Sequence, residues 1–151
     1  MITEKKLRYY HTRALATASA SPDEQTKVGA LLIHGESGAV IAEGYNGFIR
    51  GAPDETLPKT RPEKYDYIIH AETNLICNAV RHGISTNNCV MFCIISPCIK
   101  CMRMIYQAGI KEIYIKSFYS DYAQCSNMND LKITVTSIGE FSKIVLEPKR
   151  V

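Results

Sequence analysis

The sequence predicts an α/β fold of three α/β/α layers, with a mixed five-stranded sheet between helices. Three observations predict it. Stretches with helical apolar spacing alternate with short apolar runs of strand length. Residues 88–116 read as strand, helix, strand, the form of a parallel βαβ unit with a right-handed crossover. The composition, 151 residues of which 46% are hydrophobic and 22% charged, suits one domain over 1–151 with a buried core.

The elements follow in order. Leu7, Tyr10, Ala14, Leu15 and Ala18 recur at helical spacing, so residues 3–20 predict a helix that Ser21-Pro22-Asp23 ends. Residues 28–33 are a continuous apolar run short enough for a buried strand. Residues 34–38 read as a turn and residues 39–42 as a second strand, making a hairpin. Residues 44–66 are a long loop rich in Gly, Pro and charge, and loops of that length in compact domains are usually functional or disordered. A helix is expected over 70–81, closed by His82-Gly83. Strand 88–95, helix 98–108 and strand 110–116 form the βαβ unit. Residues 132–137 and 143–146 alternate as strands do.

Two short motifs carry the chemistry: His70-Ala71-Glu72 and Pro97-Cys98-Ile99-Lys100-Cys101. Cys98 and Cys101 stand one helical turn apart, so both thiolates can face one metal. Two thiolates and one imidazole suit zinc. Three protein ligands, His70, Cys98 and Cys101, leave a fourth tetrahedral position for water, as a catalytic site requires. Glu72, two residues from a ligand, is placed to carry protons. If both motifs open helices, both positive helix ends favour thiolate over thiol. The bland alternatives are a redox dithiol and half of a structural zinc knuckle. The first lacks its usual βαβ context near the N-terminus. The second lacks a partner pair, since Cys77, Cys89, Cys93 and Cys125 form no second C-x-x-C. Those four are expected to be buried small hydrophobes, Cys77 included.

His-x-Glu followed by Pro-Cys-x-x-Cys resembles the signature of the zinc nucleobase deaminases. Further stretches, Thr26-Lys27-Val28-Gly29-Ala30, Gly44-Tyr45-Asn46-Gly47-Phe48, Lys64-Tyr65, Asn74 and Gln107-Ala108-Gly109-Ile110, stand in the order of the deoxycytidylate (dCMP) deaminases. The chain therefore resembles that branch of the cytidine deaminase superfamily over about residues 15–121, and a cytidine deaminase-like fold is implied. Thr73 and Leu75 depart from the family's usual residues at helix-body positions. Ile68 and Ile69 stand where some members carry ligands of a second zinc, so one zinc per chain is expected.

The resemblance implies a zinc-dependent hydrolase that converts dCMP to dUMP. Zinc would lower the pKa of bound water, and Glu72 would move protons without ligating the metal. The Asn46 amide would bind the sugar 3′-hydroxyl; its alternative is a plain Asn-Gly turn residue. The Ala71 N–H, at a helix N-terminus, is expected to donate to the base O2. Thr26, Lys27, Arg50 and, by family position, Tyr119 are the candidate 5′-phosphate donors. The family also implies activation by dCTP and inhibition by dTTP, often with Mg²⁺, and a homohexamer. A regulatory site is then expected from the Gly44 to Arg50 loop, Gly47 included, with Arg81; a cation near a helix C-terminus is otherwise explained by the dipole.

The net charge of +3 is compatible with an anionic small molecule and too weak to argue for nucleic-acid binding. No apolar run reaches membrane-spanning length. A signal peptide is not expected, and six cysteines without one suit a reducing, cytoplasmic compartment. The competing readings are a deaminase that accepts dCTP, a tRNA adenosine deaminase, and a zinc-stapled binding module. A structural zinc would have no need of Glu72.

Overall fold

The computed structural model describes residues 2–120, 122–125 and 127–150. The first helix, α1 (Glu4–Ala18), begins at Thr3, whose hydroxyl accepts from the Lys6 N–H. That is the ordinary N-cap bond. A hairpin follows, β1 (Gly29–His34) and β2 (Val40–Tyr45), then α2 (Ala71–Arg81), β3 (Cys89–Ile95), α3 (Ile99–Gln107) and β4 (Glu112–Ser117). A single helical turn, α4 (Tyr122–Cys125), leads to a second hairpin, β5 (Leu131–Ile138) and β6 (Phe141–Pro148). Asp121 lies outside the described residues.

The six strands form one sheet in the order β2-β1-β3-β4-β6-β5. The expected count of five is therefore corrected to six. Both C-terminal segments join, because β6 pairs antiparallel with β4 and carries β5 on its outer side. The β3–β4 pair is parallel, as the βαβ pattern predicts, and β1 runs antiparallel to both neighbours.

Strand alternation divides the core between two faces. Leu31, Ile33, Phe92 and Tyr114 point to one face and pack on Leu7, Tyr10 and Ala14 of α1. Ala30, Leu32, Met91, Cys93, Ile113 and Ile115 point to the other, under α2 and α3. This double cover explains why β1 reads as a continuous apolar run. On α2 the buried residues are Ala71, Glu72, Leu75 and Ala79. That face excludes Cys77, which is exposed rather than in the core, whereas Cys89, Cys93 and Cys125 are buried as expected. Among the described residues, no helix is long and apolar enough to cross a membrane.

Two glycines let helices lie directly on the sheet. A Cβ at Gly29 would meet the Ala14 carbonyl of α1. At Gly44 it would fall on the Leu75 nitrogen and 2.7 Å from the Ala71 oxygen, both in α2. Gly44 thus sets the height of α2 over β2. Gly44→Val should lower stability by at least about 1–3 kcal/mol, the range for overpacking. Urea unfolding checks this, and an unchanged midpoint would contradict the close approach.

Candidate active site

The sequence brings two helix starts together. His70 is the N-cap of α2 and Cys98 the N-cap of α3, both in extended backbone, and neither side chain makes a capping hydrogen bond. Histidine and cysteine are poor caps. Their side chains turn toward each other instead. Pro97 precedes the N-cap, two places before the first helical residue, Ile99. The His70 Nδ1 lies 3.7 Å from Cys98 Sγ and 3.4 Å from Cys101 Sγ, and the three ligand atoms fall within 4.8 Å of one another. A tetrahedral zinc with ordinary Zn–S and Zn–N lengths separates its N and S ligands by about 3.6 Å. The donor set and spacing fit that ion.

The electrostatics are those of a group that gives up protons to a cation. A hydrogen bond from Cys101 holds the Cys98 thiol down to about 4, with His70 assisting against burial. The same bond, with burial, pushes Cys101 up. Metal binding would require both sulfurs as thiolates, so it would release protons. The sulfur partnership with Cys98 raises His70, against the pull of burial. Glu72, 5% exposed, has its carboxyl pushed above the usual range chiefly by burial.

These residues open onto a cavity of about 320 Å³ lined by His70, Ala71, Glu72 and Cys98 and, beyond them, by Asn46, Thr26 and Tyr119. Ala71 is the first residue of α2, where a backbone N–H has no partner within the helix. Tyr119 is anchored by its own N–H, which donates to Ser96 Oγ at 2.7 Å. Lys27 and Arg50, expected among the phosphate donors, do not line the cavity. The Lys27 ammonium donates to the Ser21 carbonyl, and the Arg50 guanidinium to Asn78 Oδ1 on α2. That second bond ties the Gly44 to Arg50 loop to α2, one turn before the exposed Arg81. Gly44 and Gly47 border this loop: Gly44 packs under α2, and Gly47 exchanges backbone hydrogen bonds with Ile69 at 2.7 and 3.0 Å. The latter pair closes the loop immediately before His70.

The cavity also holds residues to which the sequence reading gives no role. Arg61 is exposed at its rim and reaches Gln25 Oε1, Thr26 Oγ1 (2.9 Å) and Tyr65 OH (2.7 Å). Lys64 and Asp23, 3% and 1% exposed, form an ion pair of 2.7 Å. Burial pushes Asp23 up, but the hydrogen bond from Lys64 and the amides of Thr26 and Gln25 outweigh it and hold the carboxyl below its ordinary value. Charged residues in a long polar loop read as solvated. The Lys64-Tyr65 match was the available signal.

The family model of the cytidine and deoxycytidylate deaminase zinc-binding region matches residues 4–117. The human deoxycytidylate deaminase is 35% identical over 115 residues, 72% of this chain, but the chain spans only 63% of the human protein's length. The mouse deoxycytidylate deaminase is 35% identical over 92% of this chain and 83% of its own. Among solved structures, the dCMP deaminase of the cyanophage S-TIM5 in complex with dCMP and dUMP superposes with a TM-score of 0.67. It is 26% identical, over 83% of this chain and 92% of that one.

Co²⁺ added to the metal-free chain should give thiolate-to-metal charge-transfer absorption, because both thiolates would bind. Cys101→Ser should weaken that band and lower metal affinity and stability together. Absorption unaltered by Cys101→Ser would remove this sulfur from the metal group.

Proposed function

Because the chain belongs to the cytidine and deoxycytidylate deaminase zinc-binding family, we propose that it hydrolyses dCMP to dUMP and ammonia. One observation carries the reading: a His-Cys-Cys metal group and a buried carboxylate open onto the same cavity. A zinc ion held by His70, Cys98 and Cys101, one per chain, would supply an acidified water.

The chain's own residues do the rest. Glu72 accepts a proton from the attacking water and delivers it to N3 of the ring. It then takes the remaining proton from the new C4 hydroxyl and gives it to the C4 amine, which leaves as ammonia while C4 keeps a carbonyl oxygen. Burial raises its carboxyl toward the working pH, where a proton carrier is most effective. The Ala71 N–H donates to the base O2, and Asn46 meets the sugar 3′-hydroxyl. Arg61, bound to Thr26 at the cavity rim, takes the place of Lys27 and Arg50 as the cation for the 5′-phosphate, with Tyr119 and Thr26 beside it. Its fork geometry suits phosphate oxygens.

Activation by dCTP, inhibition by dTTP, Mg²⁺ with those effectors, a homohexamer and a cytoplasmic setting belong to the same proposal and rest on the sequence resemblance. The bond from Arg50 to Asn78 supports a regulatory site joining the Gly44 to Arg50 loop to the Arg81 end of α2.

Ammonia release from dCMP, dCTP, CMP, cytidine and adenosine-bearing RNA should be greatest with dCMP. Equal turnover of cytidine and dCMP would contradict the phosphate contact, and preference for dCTP would move the substrate assignment. Glu72→Gln should keep its metal and lose roughly 10²–10⁴ in rate. Retention of more than about a tenth of the rate would remove Glu72 from proton transfer.

A further inference from the structure

We propose that Gln25 is a specificity-determining positioning residue. As a neutral acceptor it holds Arg61 at the cavity rim without neutralising it, so the site favours ligands with an anionic group at the sugar 5′ position. This deepens the dCMP reading above and rests on it.

A guanidinium presents its N–H donors in a fixed plane and stays charged at any working pH. In Arg61, the Nε–H donates to Tyr65 OH at 2.7 Å, Nη1 to Gln25 Oε1 at 3.2 Å and Nη2 to Thr26 Oγ1 at 2.9 Å. Each terminal nitrogen keeps a further N–H for a ligand. Every one of these acceptors is a neutral oxygen. Among the described residues, no carboxylate forms an ion pair with Arg61. The fork is therefore held in place with its charge left over. Asp23, close by in sequence, does not supply the missing charge. Its oxygens accept from Lys64 Nζ, the Asn46 amide and the Gln25 and Thr26 N–H groups. Asp23 and Lys64 cancel each other in the cavity wall, and Arg61 remains as the uncompensated cation beside Thr26.

Gln25 has a place in this clamp that Thr26 and Tyr65 do not share. Its Oε1 accepts from the Arg61 backbone N–H at 2.8 Å as well as from the guanidinium, so one oxygen grips main chain and side chain together. Its own N–H is fixed on Asp23 Oδ1 at 2.8 Å. A glutamate at this position has the same length and would present an oxygen to the same two donors. It would also bring a negative charge, pair with Arg61 as carboxylates do, and repel a phosphate that carries up to two negative charges. Geometry alone therefore does not distinguish Gln from Glu here, but charge does. The amide keeps the cation both preorganised and available, which lowers the cost of ordering it when an anion binds.

The test compares the ratio of kcat/KM for dCMP to that for deoxycytidine in the wild type, Gln25→Glu and Gln25→Met, at low and high salt. Gln25 is exposed, so both variants should keep the wild-type unfolding midpoint and metal content. Gln25→Glu should lower the ratio at least about fivefold, through KM for dCMP, and the deficit should shrink as salt rises. Gln25→Met removes the oxygen without adding charge and should lower the ratio less than Gln25→Glu does. A purely structural hydrogen bond predicts the reverse order, because glutamate can still accept from Arg61. Gln25→Glu with the wild-type ratio, with a smaller loss than Gln25→Met, or with equal losses on both substrates would overturn the proposal. Wild type that turns over deoxycytidine as well as dCMP would overturn it without any variant. Wild type that releases no ammonia from either would instead overturn the function on which this rests.

Discussion

Two helices begin at one point, and the rest of the site depends on it. A helix start leaves backbone N–H groups without partners and carries partial positive charge. Thr3 shows how this chain handles such an end when nothing else is required: a hydroxyl caps it. At α2 and α3 the N-cap side chains are His70 and Cys98, which leave their helices uncapped and meet each other. Two positive ends therefore face one cluster of imidazole and sulfur, favouring the thiolates that a metal needs. The sheet makes the meeting possible. β3 runs straight into Cys98, and Gly44 lets α2 settle on β2 with no side chain between.

The cavity beside this cluster combines opposed electrostatic demands. Glu72 is buried with its carboxyl pushed up, the condition of a group that exchanges protons. Asp23 is equally buried and is pushed down, because Lys64 and two amides hold it ionised. Two carboxylates lining one pocket thus have different tasks, separated by their partners rather than by their exposure. The first suits proton transfer, and the second is tied to Lys64, two backbone amides and the Asn46 side chain.

The parts of this structure that repeat at short range were legible in the sequence. Leu7, Tyr10 and Ala14 announce α1 by spacing, and the metal group follows from His70, Cys98 and Cys101 because each motif is local to one helix start. The alternation of residues 132–137 and 143–146 was also visible, but alternation does not say which strands pair. Only the structure adds β6 to β4 and β5 to β6, giving six strands where five were expected. The pocket wall was harder to read, since its residues come from separated loops. Lys64 reaches Asp23 across a sequence separation of 41, and Arg61 reaches Thr26 across 35. No periodicity links such pairs. Lys27 and Arg50 were plausible on charge alone and point elsewhere, because charge does not encode direction. Cys77 lies off the buried line of α2, which runs through Ala71, Leu75 and Ala79.

If His70, Cys98 and Cys101 hold zinc as proposed, two helix starts supply three protein ligands and leave the fourth position to solvent. X-ray absorption at the zinc edge of the purified protein tests it most directly. The account predicts two sulfurs at about 2.3 Å and two lighter N or O neighbours at about 2.0–2.2 Å, one of them exchangeable for solvent or ligand. A shell of four sulfurs, or one without sulfur, would contradict it.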